Sequence, residues 1–255
     1  MRINGNTIFI PGATSGIGLA LALRLHEAGN KVIVGGRRTE LLADIAAQHP
    51  DIDTIQIDTT DAESIATAAN EVIARHPNLN VLLPMAGIMR AEDWTTPGSF
   101  LADAEALVTT NLLGPIRLIS AFVEHLLAQP DATILTVSSG LAFAPLRVTP
   151  TYNATKAAIH MLSESLRLQF ADSSVKVVEL IPPSVQSDII PGHLDDPSAM
   201  PLGDYIDETM TILETQPNAA EVLVERVKFL RYGEVRGDQA QVIAALNGAE
   251  ALAAR

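Results

Sequence analysis

The chain has 255 residues, 47% hydrophobic and 18% charged, which is enough apolar material for one large α/β core and too much for a disordered chain. Its net charge of −13, with 17 Lys and Arg against 30 Asp and Glu, argues against a nucleic-acid surface, which needs clustered basic residues. It has no cysteine, no metal-ligand spacing among its histidines, no signal-peptide core at its start and no apolar run near the ~18 residues that span a bilayer, so a soluble cytoplasmic protein without metal or membrane partner is expected.

The first β-branched run, residues 7–10, predicts a strand, and the apolar periodicity of 16–28 predicts a helix. Between them lies Gly12-Ala13-Thr14-Ser15-Gly16-Ile17-Gly18. A strand-to-helix turn with three glycines lets backbone N–H groups approach a pyrophosphate, and the helix dipole favours its charge. An ordinary glycine-rich turn is the alternative, and the flanking strand and helix weigh against it. A second strand, 31–34, runs into Gly35-Gly36-Arg37-Arg38. An NAD-binding chain of this kind places a carboxylate about 20 residues past the turn to accept from the ribose. Here Gly36 holds that position, and Arg37 and Arg38 offer guanidinium forks to a 2′-phosphate. NADP(H) is therefore expected over NAD(H), the alternative being a solvated arginine pair.

Alternation continues with a helix at 39–48, a strand at 54–57, a helix at 62–75 and a strand at 81–83. A long helical region follows at 101–128 and holds Asn111, a polar residue in an apolar stretch, which a satisfied buried amide would also explain. The strand at 133–137 ends in Ser138-Ser139, where an open α/β sheet binds its ligands. Thr149-Pro150 marks the start of a helix at 150–170 with Tyr152 and Lys156 one turn apart on one face. An adjacent ammonium favours the phenolate, so Lys156 is expected to draw Tyr152 toward a useful range for acid/base chemistry.

After a strand at 175–181, residues 187–203 collect Pro191, Gly192, Pro197, Pro201 and Gly203 and read as a long loop, the start of a substrate-binding lid over about 187–216. Helices are predicted at 204–214 and 219–232, with one more running to Arg255. The fold class is thus α/β: a Rossmann-type, doubly wound parallel sheet of six or seven strands with helices on both faces, in a single domain over 1–255. No final strand is evident near the C-terminus. The helices at 114–128 and 152–170 carry apolar residues on more than one face, which predicts a homodimer or homotetramer. Met89, Trp94, Leu141, Phe143, Ile189 and Ile190 lie near the inferred crevice or lid and suggest a partly hydrophobic substrate, with His193 as a further contact.

Taken together, the glycine turn, Asp58, Asn111, Ser139 and the Tyr152/Lys156 pair resemble the short-chain dehydrogenase/reductase family over nearly all of residues 5 to 190. The resemblance implies an NADP(H)-dependent oxidoreductase acting on a small carbonyl or alcohol. Tyr152 would be its acid/base, Ser139 would polarise the substrate oxygen, Lys156 would also bind the nicotinamide ribose, and Asn111 would hold a water toward Lys156. It further implies that Asp58, Thr59, Ala86 and Gly87 contact the adenosine half, and that Pro182, Val185 and Ser187 lie near the nicotinamide. Three positions depart from the family pattern: Pro11 before the turn, Pro84-Met85 before Ala86-Gly87, and Pro183 after Pro182. Altered local hydrogen bonding is expected there, with the chemistry kept; a catalytically silent regulatory protein of the same fold is the alternative. Residues 199–208 and 224–228 resemble, more narrowly, a bacterial DltE-like subgroup.

Overall fold

Successive side chains of a strand buried on both faces feed two different cores, and β1 (Thr7–Pro11) does this residue by residue. Ile8 and Ile10 join one apolar cluster, Phe9 the other. In β2 (Lys31–Gly36), Val32 and Val34 enter the first and Ile33 the second. The computed structural model describes residues 1–190 and 192–248. Along the chain come β1, α1 (Gly16–Glu27), β2, α2 (Thr39–Gln48), β3 (Asp53–Gln56), α3 (Ala62–Arg75), β4 (Val81–Leu82) and α4 (Leu101–Val108). A π-helical turn (Thr109–Leu113) leads into α5 (Gly114–Leu127), followed by β5 (Ala132–Val137), α6 (Pro150–Gln169), β6 (Val175–Leu180) and α7 (Leu202–Thr215). Then come β7 (Glu221–Val222), α8 (Lys228–Arg231), α9 (Gly233–Arg236) and α10 (Gln239–Asn247). Pro191 and the end of the last expected helix lie outside the described residues.

The described strands form one parallel sheet in the order β3-β2-β1-β4-β5-β6-β7. The chain winds outward one way from β1 and then the other way from β4, so a crevice opens at the carboxyl ends of β1 and β4. The seventh strand settles the choice between six and seven. It falls inside the stretch expected to be helical at 219–232 and pairs Glu179 with Glu221 and Leu180 with Val222. Two residues are too few to show alternation, so its signal is the neighbouring β6 and not its own sequence.

The helical stretch Leu101–Leu127 corrects a second expectation, because it is long and apolar enough by length and composition to cross a membrane. One side of it instead faces the sheet: Leu118, Phe122 and Leu126 are fully buried in the second cluster, and the Phe122 ring packs 5.4 Å from Phe9. The expected lid divides in two. Residues 188–190 and 192–199 are irregular around a short 3-10 turn (His193–Asp195), whereas α7 buries Tyr205, Ile206 and Leu213 and packs on α1.

Candidate functional site

At the end of β1 the backbone makes the crevice. Gly12 has φ +93°, and a Cβ on it would stand 2.2 Å from the Ala86 nitrogen, so only glycine lets the turn pass this close to the end of β4. The Gly12 and Ala13 N–H groups donate to the Gly35 carbonyl at 2.8 and 3.2 Å. The Pro11 carbonyl accepts from Met85 N–H at 2.9 Å and Ala86 N–H at 3.0 Å. Main-chain bonds from Met85 and Ala86 thus join the segment after β4 to Pro11, and two of these three residues, Pro11 and Met85, stand where the chain departs from the family pattern. Ser15, just before α1, makes no capping bond to it, which leaves the first N–H groups of that helix uncapped by its side chain.

A hollow of about 270 Å³ gathers Gly12, Thr14, Ser15, Arg37, Arg38, Thr59, Ala86 and Gly87 from separate parts of the chain. Arg37 and Arg38 are both exposed, and Arg38 reaches across it, donating to Thr14 Oγ1 at 2.7 Å and Ser15 Oγ at 3.1 Å. A Cβ on Gly36 would meet the Thr14 methyl at 2.4 Å, so the position that would carry a carboxylate has no room for one as the walls stand. Asp58 lies in an adjoining hollow with Arg37. Burial works to raise its pKa, but hydrogen bonds from the Thr60 hydroxyl and N–H and the nearby Arg37 outweigh this and hold it below the ordinary carboxylate value.

Of the other expected cofactor residues, Gly16 opens α1, with Ser187 beside it: the two Cβ positions would be 3.7 Å apart. Val185 is buried, and the Pro182 carbonyl accepts from Gly140 N–H at 2.9 Å, tying the end of β6 to the segment after Ser139. Ile17 and Gly18 turn away toward the core: Ile17 packs on the first cluster, and a Cβ on Gly18 would strike Met85 Cγ at 2.8 Å. Three contributors were not foreseen. Thr60 holds Asp58; Asp188 accepts from Ser15 at 3.0 Å; and Glu92 accepts from Thr151 N–H at 2.8 Å, fixing the first turn of α6. Each is a polar loop residue whose partner is remote in sequence or set by the turn.

The four candidate catalytic residues are all buried at the carboxyl end of the sheet. Asn111 sits in the π-helical turn, an extra-residue widening that favours functional positions. Its amide donates to the Ile88 carbonyl at 2.8 Å and accepts from the Ile88 N–H at 2.9 Å. Ser139 follows β5 and accepts from Leu141 N–H at 3.1 Å. Lys156 Nζ donates to the Val137 carbonyl at 2.9 Å and lies 5.6 Å from the centre of the Tyr152 ring.

Burial dominates the titration of this pair. It pushes the Tyr152 phenol up to about 12, against a lowering hydrogen bond with Ser139, and brings the Lys156 ammonium down to about 8. The expected downward pull of Lys156 on Tyr152 is therefore not the governing effect. What results is a neutral phenol beside a hydroxyl, an arrangement suited to giving a proton to an oxygen that both can reach.

Other flagged residues fall elsewhere. Trp94 lines a mostly apolar hollow of about 720 Å³ with Val108, Pro150, Thr151 and Ala154, which shares no residue with the candidate catalytic set. Phe143 is engaged by the His160 ring edge at 4.6 Å and Arg231 at 4.4 Å. His193, expected as a substrate contact, is engaged by the Ser184 hydroxyl at 2.9 Å.

Residues 6–196 match the family described as short chain dehydrogenase. The chain is 42% identical over 187 residues to an uncharacterized oxidoreductase, DltE, of Bacillus subtilis, covering 73% of this chain and 74% of that protein. It is 30% identical over 196 residues to the 2,5-dichloro-2,5-cyclohexadiene-1,4-diol dehydrogenase LinX of Sphingobium indicum, covering 74% and 76%. A short chain dehydrogenase from Burkholderia cenocepacia, solved in complex with NADP, superposes with a TM-score of 0.81 at 26% identity over 96% of this chain and 99% of that one.

The buried lysine has a measurable signature. Below about pH 8 folded and unfolded chains both hold its proton, and the cost of burying the ammonium is present in full. Between about 8 and its ordinary 10.5 the unfolded chain binds more protons, so stability contributed at this position rises with pH. Lys156→Met escapes that cost. In urea unfolding, its stability relative to the parent is expected to be greater at neutral pH than near the upper end of this window; a pH-independent difference would refute the assignment.

Proposed function

Because the chain belongs to the short chain dehydrogenase family, with DltE-like relatives, we propose that this oxidoreductase uses NADP(H) to interconvert a small, partly hydrophobic carbonyl compound and its alcohol. The observation that carries this reading is the burial of Ser139, Tyr152 and Lys156 together at the end of β5, beside the hollow into which Arg38 reaches. The dinucleotide, when bound, supplies or accepts the hydride. The uncapped start of α1 at Gly16 suits its pyrophosphate, Arg37 and Arg38 its 2′-phosphate, and Asp58, Thr59, Ala86 and Gly87 its adenosine. Pro182, Val185 and Ser187 are assigned to the nicotinamide side, and Lys156 to the ribose hydroxyls.

In the reductive direction Tyr152 gives its proton to the carbonyl oxygen, which Ser139 polarises by donating a hydrogen bond to the same atom. A phenol held near 12 is in the donor form at neutral pH, the form this step requires. Asn111 holds a water toward Lys156 with the acceptor capacity that its bonds to Ile88 leave free. The NADP of the Burkholderia structure and the cyclic diol named for the Sphingobium enzyme support the cofactor and the substrate class. A cysteine-free chain suits a cytoplasmic setting. Met161 and Leu168 are exposed on α6, as are Ile116 and Leu113 on the stretch before and within α5, which supports pairing of these helices in a homodimer or homotetramer.

NADPH consumption measured against a panel of aldehydes and ketones is expected to reveal turnover that Tyr152→Phe lowers by about 10²-fold or more. Undiminished turnover in Tyr152→Phe sinks the mechanism. In fluorescence titrations, Arg38→Ala is expected to weaken NADPH binding by about tenfold while NADH binding changes little; equal losses for both would overturn the 2′-phosphate assignment. Sedimentation velocity is expected to give a dimer or tetramer that Met161→Glu with Leu168→Glu reduces to a monomer, and a monomeric parent would remove the pairing.

A further inference from the structure

Among the described residues, two acidic or basic side chains are buried from water: Lys156 and Glu179. The first belongs to the candidate catalytic set; the second, on β6, has no part in it. A carboxylate withdrawn from water costs several kcal/mol unless donors replace its hydration, and an apolar residue of similar size often gives equal or greater stability. The donors around Glu179 are drawn from the elements that bear the candidate chemistry. Ser138, immediately before Ser139, donates its hydroxyl to Oε1. His160 Nδ1 faces both oxygens at 3.0 and 3.1 Å, and Arg167 Nη2 donates to Oε2 at 3.3 Å.

His160 is one helical turn beyond Lys156 and two beyond Tyr152, so the three share a face of α6, and Arg167 returns to that face two turns later. Arg167 also donates to the Val177 and Ala220 carbonyls at 3.2 and 3.1 Å, locking α6 to β6 and to the start of β7. The His160 ring meets Phe143 edge-on, inside the connection that joins Ser139 to α6. Arg231 covers the same Phe143 ring and is bonded to Glu221 at 2.8 and 3.1 Å. Guanidinium groups thus pair with both carboxylates of the His160, Glu179 and Glu221 cluster.

We infer that Glu179 is a positioning residue, whose buried carboxylate ties the end of β5 bearing Ser139 to the face of α6 bearing Tyr152 and Lys156. This rests on the proposed carbonyl chemistry, in which Ser139 and Tyr152 must converge on one oxygen. Errors of about 1 Å in such convergence cost up to about 10²-fold in rate. Glu179 touches neither hydroxyl; it fixes the two elements that carry them.

Two variants separate positioning from bulk stability. Glu179→Gln keeps the shape and removes the charge. Ser138→Ala breaks the link to β5 and spares those to α6. With the best carbonyl substrate of the parent, both are expected to retain NADPH affinity and KM within about threefold while kcat falls about tenfold or more, at a temperature where both are folded. A lowered melting temperature with unchanged kcat in both would overturn the proposal. A second readout holds whether or not a substrate is found: the ζ-carbon NMR resonance of Tyr152, assigned by its loss in Tyr152→Phe, is expected to move in both variants. If it stays in place in both, the positioning role is wrong; if the parent oxidises NADPH with no carbonyl, the functional reading falls while this resonance still decides the geometry.

Discussion

The main-chain junction where β1 ends governs the crevice. The Pro11 carbonyl takes two N–H groups from the segment after β4, and Gly12 passes so close to Ala86 that no side chain fits between them. A parallel sheet that winds outward in two directions must part at this point, and the junction sets how far. Because these contacts run through backbone atoms, Pro11, Pro84 and Met85 can occupy positions where the family pattern has hydrogen-bonding side chains. The junction draws on the Pro11 carbonyl, which a proline keeps, and on the N–H groups of Met85 and Ala86.

Around that opening, electrostatics are arranged by burial more than by pairing. Lys156 and Tyr152 are each displaced toward the neutral form, because a low-dielectric surrounding penalises charge of either sign. Arginines behave differently: Arg38 reaches along the hollow to the Thr14 and Ser15 hydroxyls, Arg167 meets the Glu179 carboxylate under α6, and Arg231 meets Glu221 on β7. Each of these charged side chains thus has hydrogen-bonding partners of its own, and the one buried carboxylate among the described residues, Glu179, is met by Ser138, His160 and Arg167.

Much of this was legible in the sequence. The helices at 39–48 and 62–75 have the expected bounds, since a clear apolar period and an Asp61 cap before the second leave little ambiguity. The glycine turn, Ser139, Tyr152 and Lys156 were legible because each occupies a fixed place relative to a strand end or helix start. Less was legible where the determinant is a contact distant in sequence. A two-residue β7 exists through its register with β6, the π-helical turn at Asn111 leaves no compositional trace, and Glu179 is one acidic letter in an apolar strand. The weight of burial on Tyr152 and Lys156 leaves no trace in the sequence, because helical spacing tells which groups are neighbours and says nothing of how much water they lose.

The glycine at position 36 also limits which side chains this wall of the hollow could acquire over evolutionary time. A carboxylate introduced there meets the Thr14 methyl, and the Thr14 hydroxyl is the group that anchors Arg38. Moving Thr14 aside to make room would cost Arg38 that bond and leave it the one to Ser15. The two walls of the hollow are therefore linked: a larger side chain at position 36 calls for an adjustment at position 14 as well.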